Sequence, residues 1–328
     1  MDCNNSFVNH TKLYAQKDDE GRRLDRILRK ALPGIPLSAI HRILRKGSVL
    51  VNGVPGKGED RIPAGAVILL PVIAPQARGN MAKTGHKKTA LPGQAKPGID
   101  ILWEGGGLLI LNKPPGEAVH GGGGQQDNLD SRVQGHLAGK LPPSLSFKPG
   151  PLHRLDKPTS GIVAFALNLE AAKIFSALLR ERKVTKRYLA ILEGVVKKSE
   201  TWEEMLARDK KTKKTLVSRT QAATAITVVT PLAHAKKEGR PYTLARLEII
   251  TGRTHQIRAQ AAYHGYPLAG DRKYGGREFS AGRGFFLHAA ELELPREPDI
   301  FPAVPRVIKA PLPENFSQTA KMLFNVTI

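Results

Sequence analysis

The chain has 328 residues, 41% of them hydrophobic, which is long and apolar enough for two domains with at least one sizeable core. Lys and Arg number 51 against 29 Asp and Glu, and the net charge of +22 points to a polyanionic partner, nucleic acid ahead of an anionic membrane surface. No apolar run reaches the roughly 18 residues a membrane-spanning helix needs, and Cys3, the only cysteine, excludes intrachain disulfides and cysteine-cluster zinc sites. The opening residues, Met1-Asp2-Cys3-Asn4-Asn5, lack the basic start and apolar core of a secretory signal. A reducing cytoplasm is the expected compartment.

Residues 1–19 are read as an N-terminal segment ahead of the first domain, which spans 20–72. Residues 21–57 carry nine Lys/Arg and one acid, Asp25. Leu24, Ile27 and Leu28 recur at helical spacing, and after Pro33-Gly34 the pattern repeats at Ile40, Ile43 and Leu44. Two short amphipathic helices follow, apolar stripes inward and Arg22, Arg23, Arg26, Arg42, Arg45 and Lys46 on or beside the basic faces. Ser48–Asn52 reads as a strand entering an Asn52-Gly53 hairpin turn, and Val67–Leu70 as a later strand. Such nearly one-signed charge on a small helix-hairpin unit favours RNA binding over a merely solvated face.

Residues 73–98 form a basic, Gly- and Pro-containing stretch with few apolar residues, expected to be a flexible linker. From residue 99 to 328 apolar strands alternate with glycines and occasional helices. Leu108–Asn112, Gly161–Leu167, Tyr188–Leu192 and Tyr242–Ile250 read as strands, and Leu169–Arg182 and Thr254–Tyr263 as helices. Strands outnumber helices without regular alternation, so the fold class is α+β with a mostly antiparallel sheet.

Chemistry concentrates in four segments. His153-Arg154-Leu155-Asp156-Lys157-Pro158-Thr159-Ser160-Gly161 sets one carboxylate in a tight loop among cations, where it can be ionised, positioned and partly desolvated as a carboxylate nucleophile must be. The others are Asn112-Lys113-Pro114-Pro115-Gly116 leading to Ala118-Val119-His120-Gly121-Gly122; Lys186-Arg187-Tyr188-Leu189-Ala190; and Gly252-Arg253-Thr254-His255-Gln256-Ile257-Arg258, continuing to Gly270-Asp271 and Tyr274-Gly275.

Together these segments resemble the RluA family of pseudouridine synthases over about residues 100–310. Arg23–Leu28, Ile43–Gly47 and Val51-Asn52-Gly53 resemble the S4 RNA-binding domain that precedes the catalytic domain in the RluC and RluD branches. The Ile43–Gly47, Ala118–Gly122 and Phe286-Leu287-His288-Ala289-Ala290 stretches look most like the RluC branch. The resemblance implies isomerisation of uridine to pseudouridine in RNA, most of all large-subunit ribosomal RNA, by a monomeric enzyme needing no cofactor and no metal. The base is detached, rotated and rejoined through C5, so no hydride, phosphoryl or methyl group is exchanged.

By the same resemblance Asp156 is the nucleophile, at ribose C1′ or base C6, and Arg258 pairs with it to keep it charged and aimed. Tyr188 packs against the target base and is a candidate for proton transfer at C5. Arg154 holds RNA open around the flipped nucleotide, with a structural salt bridge as an alternative of nearly equal weight. His120, Thr159, His255 and Ile257 are motif members expected near the substrate, with Thr159 and His255 shaping loops or donating hydrogen bonds. Two further readings compete with this one. A ribosome-assembly factor with a relic catalytic fold would have lost Asp156, Tyr188 or Arg258. A methyltransferase would need its glycine loop after a strand, whereas Glu104-Gly105-Gly106-Gly107 precedes one.

Overall fold

Apolar residues three and four apart build the first unit. Its elements are β1 (His10–Tyr14), β2 (Arg22–Arg23), α1 (Leu24–Ala31), α2 (Leu37–Arg45), β3 (Leu50–Val51), β4 (Val54–Pro55), β5 (Arg61–Ile62) and β6 (Val67–Pro71). The computed structural model describes residues 10–71, 98–121, 127–141, 143–209, 211–218, 220, 222–279, 284–297 and 300–326. The expected linker, apart from residue 98, and Gly122–Gly124 lie outside them. Leu24, Ile27 and Leu28 of α1 meet Ile40 and Leu44 of α2 in one core with Val49, Ile62, Ile68 and Leu70. Asn52 and Gly53 both take positive φ, 50° and 85°, the geometry that matches a tight turn to the twist of β3 and β4.

The sheet order is β1-β6-β3-β4. β1 pairs with β6 along its whole length, so His10–Tyr14 belongs with this unit and a boundary at residue 20 cuts through its sheet. Residues Leu137–Pro149 and Asn168–Glu170 also group here rather than with the larger unit. The buried Asp19 carboxylate explains part of this. It accepts bonds from the hydroxyls of Ser144 and Ser146 and from the backbone N–H groups of Leu145 and Ser146. A handful of polar contacts carries no periodicity, and the sequence pattern therefore assigned 137–149 to the domain that follows.

The larger unit comprises β7 (Ile101–Gly105), β8 (Leu108–Lys113), α3 (Leu129–Leu137) apart from Leu137, β9 (Gly150–Pro151), β10 (Ser160–Ala166), α4 (Leu169–Arg180) apart from its first two residues, β11 (Thr185–Glu193), β12 (Glu200–Arg208), β13 (Thr215–Val217), β14 (Ala223–Lys237), β15 (Arg240–Ile249), α5 (Gln256–Tyr263), β16 (Leu287–Glu293), β17 (Val307–Lys309) and α6 (Glu314–Phe324). Eleven strands form one mixed sheet in the order β13-β12-β14-β15-β11-β16-β10-β8-β7, with β17 beside β16 and β9 beside β10. Among the described strands, only the short β10–β16 pairing is parallel, so the architecture is α+β with a mostly antiparallel sheet. β8 and β10 are buried on both faces, as their unbroken apolar runs require. Ile110, Ile162 and Phe175 centre one core, Ile191, Phe286 and Phe316 another.

Two buried features lie where β10 leaves the Asp156 loop. Gly161 has φ +106°, and a Cβ there would stand 2.2 Å from the Ala289 carbonyl oxygen on β16. Gly161→Ala is expected to cost about 2–4 kcal/mol, read as a lower urea midpoint; an unchanged midpoint would show that β16 yields easily. Next to it, the fully buried His288 bonds Ser160 Oγ through Nδ1 at 2.9 Å and the Ala310 carbonyl through Nε2 at 3.2 Å. Burial pushes its pKa down to about 4, so the fold holds it neutral. Below the unfolded pKa of about 6.5 the unfolded chain binds a proton the folded chain refuses, and stability falls as pH drops toward 4. This single group contributes on the order of 3 kcal/mol to the loss by pH 4. His288→Gln is expected to flatten that part of a urea-midpoint titration between pH 7 and 4; the unaltered slope would contradict it.

Candidate active site

The loop between β9 and β10 owes its shape to fixed points on every side. The Thr159 N–H donates to the Asp156 carbonyl at 3.0 Å and closes the turn. His153 Nε2 accepts the Ala164 N–H at 3.1 Å, and its ring stacks on Phe175. Burial, followed by the nearby Lys186 charge, pushes the His153 pKa down to about 4, so the ring is neutral and free to accept. Lys113 grips the far side of the loop. Its Nζ, fully buried, donates to the carbonyls of Pro114 (2.8 Å), Glu117 (2.9 Å) and Lys157 (3.2 Å). Burial lowers its pKa to about 8 against the opposing pull of Glu117 and Asp156.

Arg258 reaches this loop from α5, a helix with no amphipathic stripe whose first six residues are all buried. Polar side chains fix it instead. Gln256 Oε1 accepts from Thr251 Oγ1 and the Arg253 N–H, and its Nε2 donates to the Ile226 carbonyl and Thr227 Oγ1. One turn on, Gln260 accepts from Thr227 Oγ1 and donates to Glu204 and to the Trp202 and Ala225 carbonyls. The Gln256 amide uses its full donor and acceptor capacity, and both Gln260 amide atoms are engaged, which fixes the register of α5 against the sheet.

So held, Arg258 donates Nη1 to Asp156 Oδ2 at 3.0 Å. Its Nε and Nη2 make a two-pronged contact with Asp271, at 2.6 and 2.8 Å. The guanidinium lies between the rings of Tyr274 and Phe285, 4.8 and 4.4 Å from their centroids. Burial works against its charge, and the bonds to Asp271 and Asp156 more than offset that, raising its pKa. His255 Nε2 stands 3.8 Å from Asp156 Oδ2, while its Nδ1 bonds the Tyr274 hydroxyl at 2.8 Å. Burial lowers the His255 pKa, and the Asp156 charge opposes the shift.

Asp156 opens into a cavity of about 640 Å³ lined also by Arg154, Thr159, Lys186, Tyr188, His255 and Ile257. The structure thus gathers Asp156, Arg258, Tyr188, Arg154, Thr159, His255 and Ile257 in one place. Tyr188 is 7% exposed, and burial together with the Asp156 charge pushes its hydroxyl well above its usual pKa. Arg154 is exposed and makes no ion pair with a described residue, so the structural salt bridge weighed from sequence does not form among them. His120 is exposed, 4.0 Å from the Asp130 carboxylate, and is not among the residues lining this cavity. In the first unit Arg26, Arg42, Arg45 and Lys46 are exposed and Arg22 half-buried, while Arg23 is tied to Asp25. Sequence reasoning gave no role to Asp271, although it stands in the same motif run as Arg258. Nor did it give one to Lys113. No group of three metal-ligating side chains is present among the described residues, and none of their helices is long and apolar enough to cross a membrane.

A carboxylate held by a buried arginine at a cavity otherwise lined by cations suits an enzyme whose substrate is a polyanion. The family model described as RNA pseudouridylate synthase matches residues 107–263. The chain is 34% identical to the ribosomal large subunit pseudouridine synthase C of Escherichia coli, over 94% of this chain and 95% of the relative. It is 33% identical to the enzyme of the same name from Vibrio cholerae, over 84% and 86%. Among solved structures it resembles human RNA pseudouridylate synthase domain containing 1, with a TM-score of 0.55 and 25% identity, covering 71% of this chain and 93% of that one. The chain therefore belongs to the RluA family of RNA pseudouridine synthases, in its RluC branch, and is an isomerase acting on RNA.

Lys cannot reproduce a planar fork that spans two carboxylates. Arg258→Lys is expected to lower the turnover of pseudouridine formation about 100-fold, by misplacing Asp156 rather than by unfolding the chain. Turnover within a few-fold of wild type, with an unchanged circular dichroism spectrum, would refute the need for that fork.

Proposed function

We propose that this enzyme isomerises uridines of large-subunit ribosomal RNA, with Asp156 as the nucleophile. The observation that carries the reading is the Asp156–Arg258–Asp271 arrangement at a cavity whose other charged side chains are cationic. The ribosomal substrate is supported by the names of relatives that align with nearly the whole chain. Ribosomal RNA and the lone Cys3 both agree with action in the cytoplasm.

In this reading the target nucleotide leaves its stack and enters the cavity, at a cost of a few kcal/mol that contacts to the opened strand must offset. Arg154, exposed and without an ion-pair partner among the described residues, is suited to that task. Arg258 holds the Asp156 carboxylate pointed at the nucleotide, and attack at C1′ or C6 frees the base to turn. The N1–C1′ bond is exchanged for C5–C1′, the C5 proton departs and N1 regains one, so no oxidant or reductant is consumed. Tyr188 packs on the base. As a phenol held neutral by burial and by Asp156, it accepts the C5 proton only if its own proton leaves at the same time.

The first unit serves as an S4-type RNA-binding domain, supported by its two packed helices, its Asn52-Gly53 hairpin and the exposed cations Arg26, Arg42, Arg45 and Lys46. The test is a pseudouridine map of large-subunit ribosomal RNA from cells with and without the gene. Sites lost on deletion are expected to return with the wild-type chain but not with Asp156→Asn, a variant that keeps roughly wild-type RNA affinity. An unchanged map on deletion would overturn the ribosomal substrate, and restoration by Asp156→Asn would overturn the nucleophile.

A further inference from the structure

β11 separates two kinds of cation. Arg187 points to one face of the sheet and is consumed there by Glu248, Glu291 and Glu293. Its neighbours Lys186 and Tyr188, one residue away on either side, point to the other face and both line the Asp156 cavity. Lys186 has no carboxylate within ion-pair distance among the described residues, and its Nζ lies 4.0 Å from the position a Cβ on Gly252 would occupy. Burial disfavours its charge and lowers its pKa, and no anion among the described residues offsets that cost. A half-buried ammonium without a counter-ion destabilises the free enzyme, and a substrate that supplies the anion recovers that cost on binding.

The surroundings specify what that counter-ion is. Arg154, Arg180, Arg182 and Arg253 line the same cavity, where Asp156 is the lone carboxylate among the lining residues. Asp156 is already engaged by Arg258, so it does not neutralise Lys186. Two positions apart on one strand face, Lys186 and Tyr188 are about 7 Å apart along the chain. That spacing lets one side chain meet a base while the other meets a phosphate of the same strand. Gly252 contributes as well, since it leaves open the space at Lys186 Nζ that a side chain would narrow.

We propose that Lys186 binds a phosphodiester of the RNA strand next to the uridine that faces Asp156 and Tyr188. The proposal rests on the assignment of this cavity as the catalytic one. It makes Lys186 a substrate-binding residue whose ammonium, without a carboxylate partner among the described residues, gains an anionic partner when RNA enters. Holding a backbone phosphate there fixes the sugar relative to Asp156, a contact indifferent to base sequence.

The experiment uses the full chain and an unmodified large-subunit ribosomal RNA transcript. It compares wild type, Lys186→Met and Lys186→Arg for binding over a series of KCl concentrations and for pseudouridine formation. Loss of one phosphate contact is expected to flatten the plot of log affinity against log salt by about 0.7, the value for one ion released from a single strand. Lys186→Met is expected to show that flatter slope with KM raised about tenfold and kcat changed less than KM. Lys186→Arg keeps the cation and is expected to restore the wild-type slope. A lower kcat with the slope unaltered would overturn the proposal in favour of an effect on Asp156 or the fold, and no change in either would also overturn it. If wild type forms no pseudouridine in the transcript while the slopes still differ, the ribosomal substrate fails and the phosphate contact stands.

Discussion

Arg258 is shared between two carboxylates, and the geometry of the site follows from how it is divided. Asp271 takes the Nε–Nη2 edge in two bonds, leaving Nη1 as the end that meets Asp156. An exposed ion pair of this length would contribute little, but here both Arg258 and Asp271 are nearly inaccessible to water, and an uncompensated charge in that setting costs several kcal/mol. The arginine cannot rotate away from Asp271 without losing its partner in a dry place. The rings of Tyr274 and Phe285 pack against the guanidinium, and Gln256 and Gln260 fix the helix that bears it. Asp156 is thus aimed by a group with no alternative position, and reorganisation is small when a substrate arrives.

The same economy of freedom runs through the loop that carries Asp156. Its start is set by His153 against β10, its turn by Thr159, and its outer edge by the buried Lys113 on three carbonyls. Where it re-enters the sheet, Gly161 lies too close to β16 for any side chain. A carboxylate on a loop is usually free to wander. This one is held from both sides by groups that would each leave a buried polar atom unsatisfied if they let go.

Much of this was legible in sequence for a definite reason. Strands buried on both faces, such as Leu108–Lys113, announce themselves as apolar runs, and the helices of the first unit by their spacing. The motif around Asp156 and the one around Arg258 were long enough to join two parts of the chain about a hundred residues apart. The long strand Ala223–Lys237 escaped notice because Pro231 reads as a breaker; the structure absorbs it with a register shift between Pro231 and Ala233. Strand Glu200–Arg208 is half-exposed and rich in glutamate, so its alternation is faint. Asp271 acts through two bonds from Arg258, and Lys113 through three backbone carbonyls. A linear pattern does not encode such contacts, although both residues stood within motifs already singled out. The grouping of residues 137–149 with the first unit through Asp19 has the same origin.

The central claim is that catalysis depends on an arginine oriented by Asp271 as much as on the aspartate it touches. The most direct measurement is the single-turnover rate of pseudouridine formation by Asp271→Asn, with RNA binding followed in parallel on folded protein. The account predicts a rate lower by about 10- to 100-fold with RNA affinity essentially unchanged. A wild-type rate in that variant would contradict it.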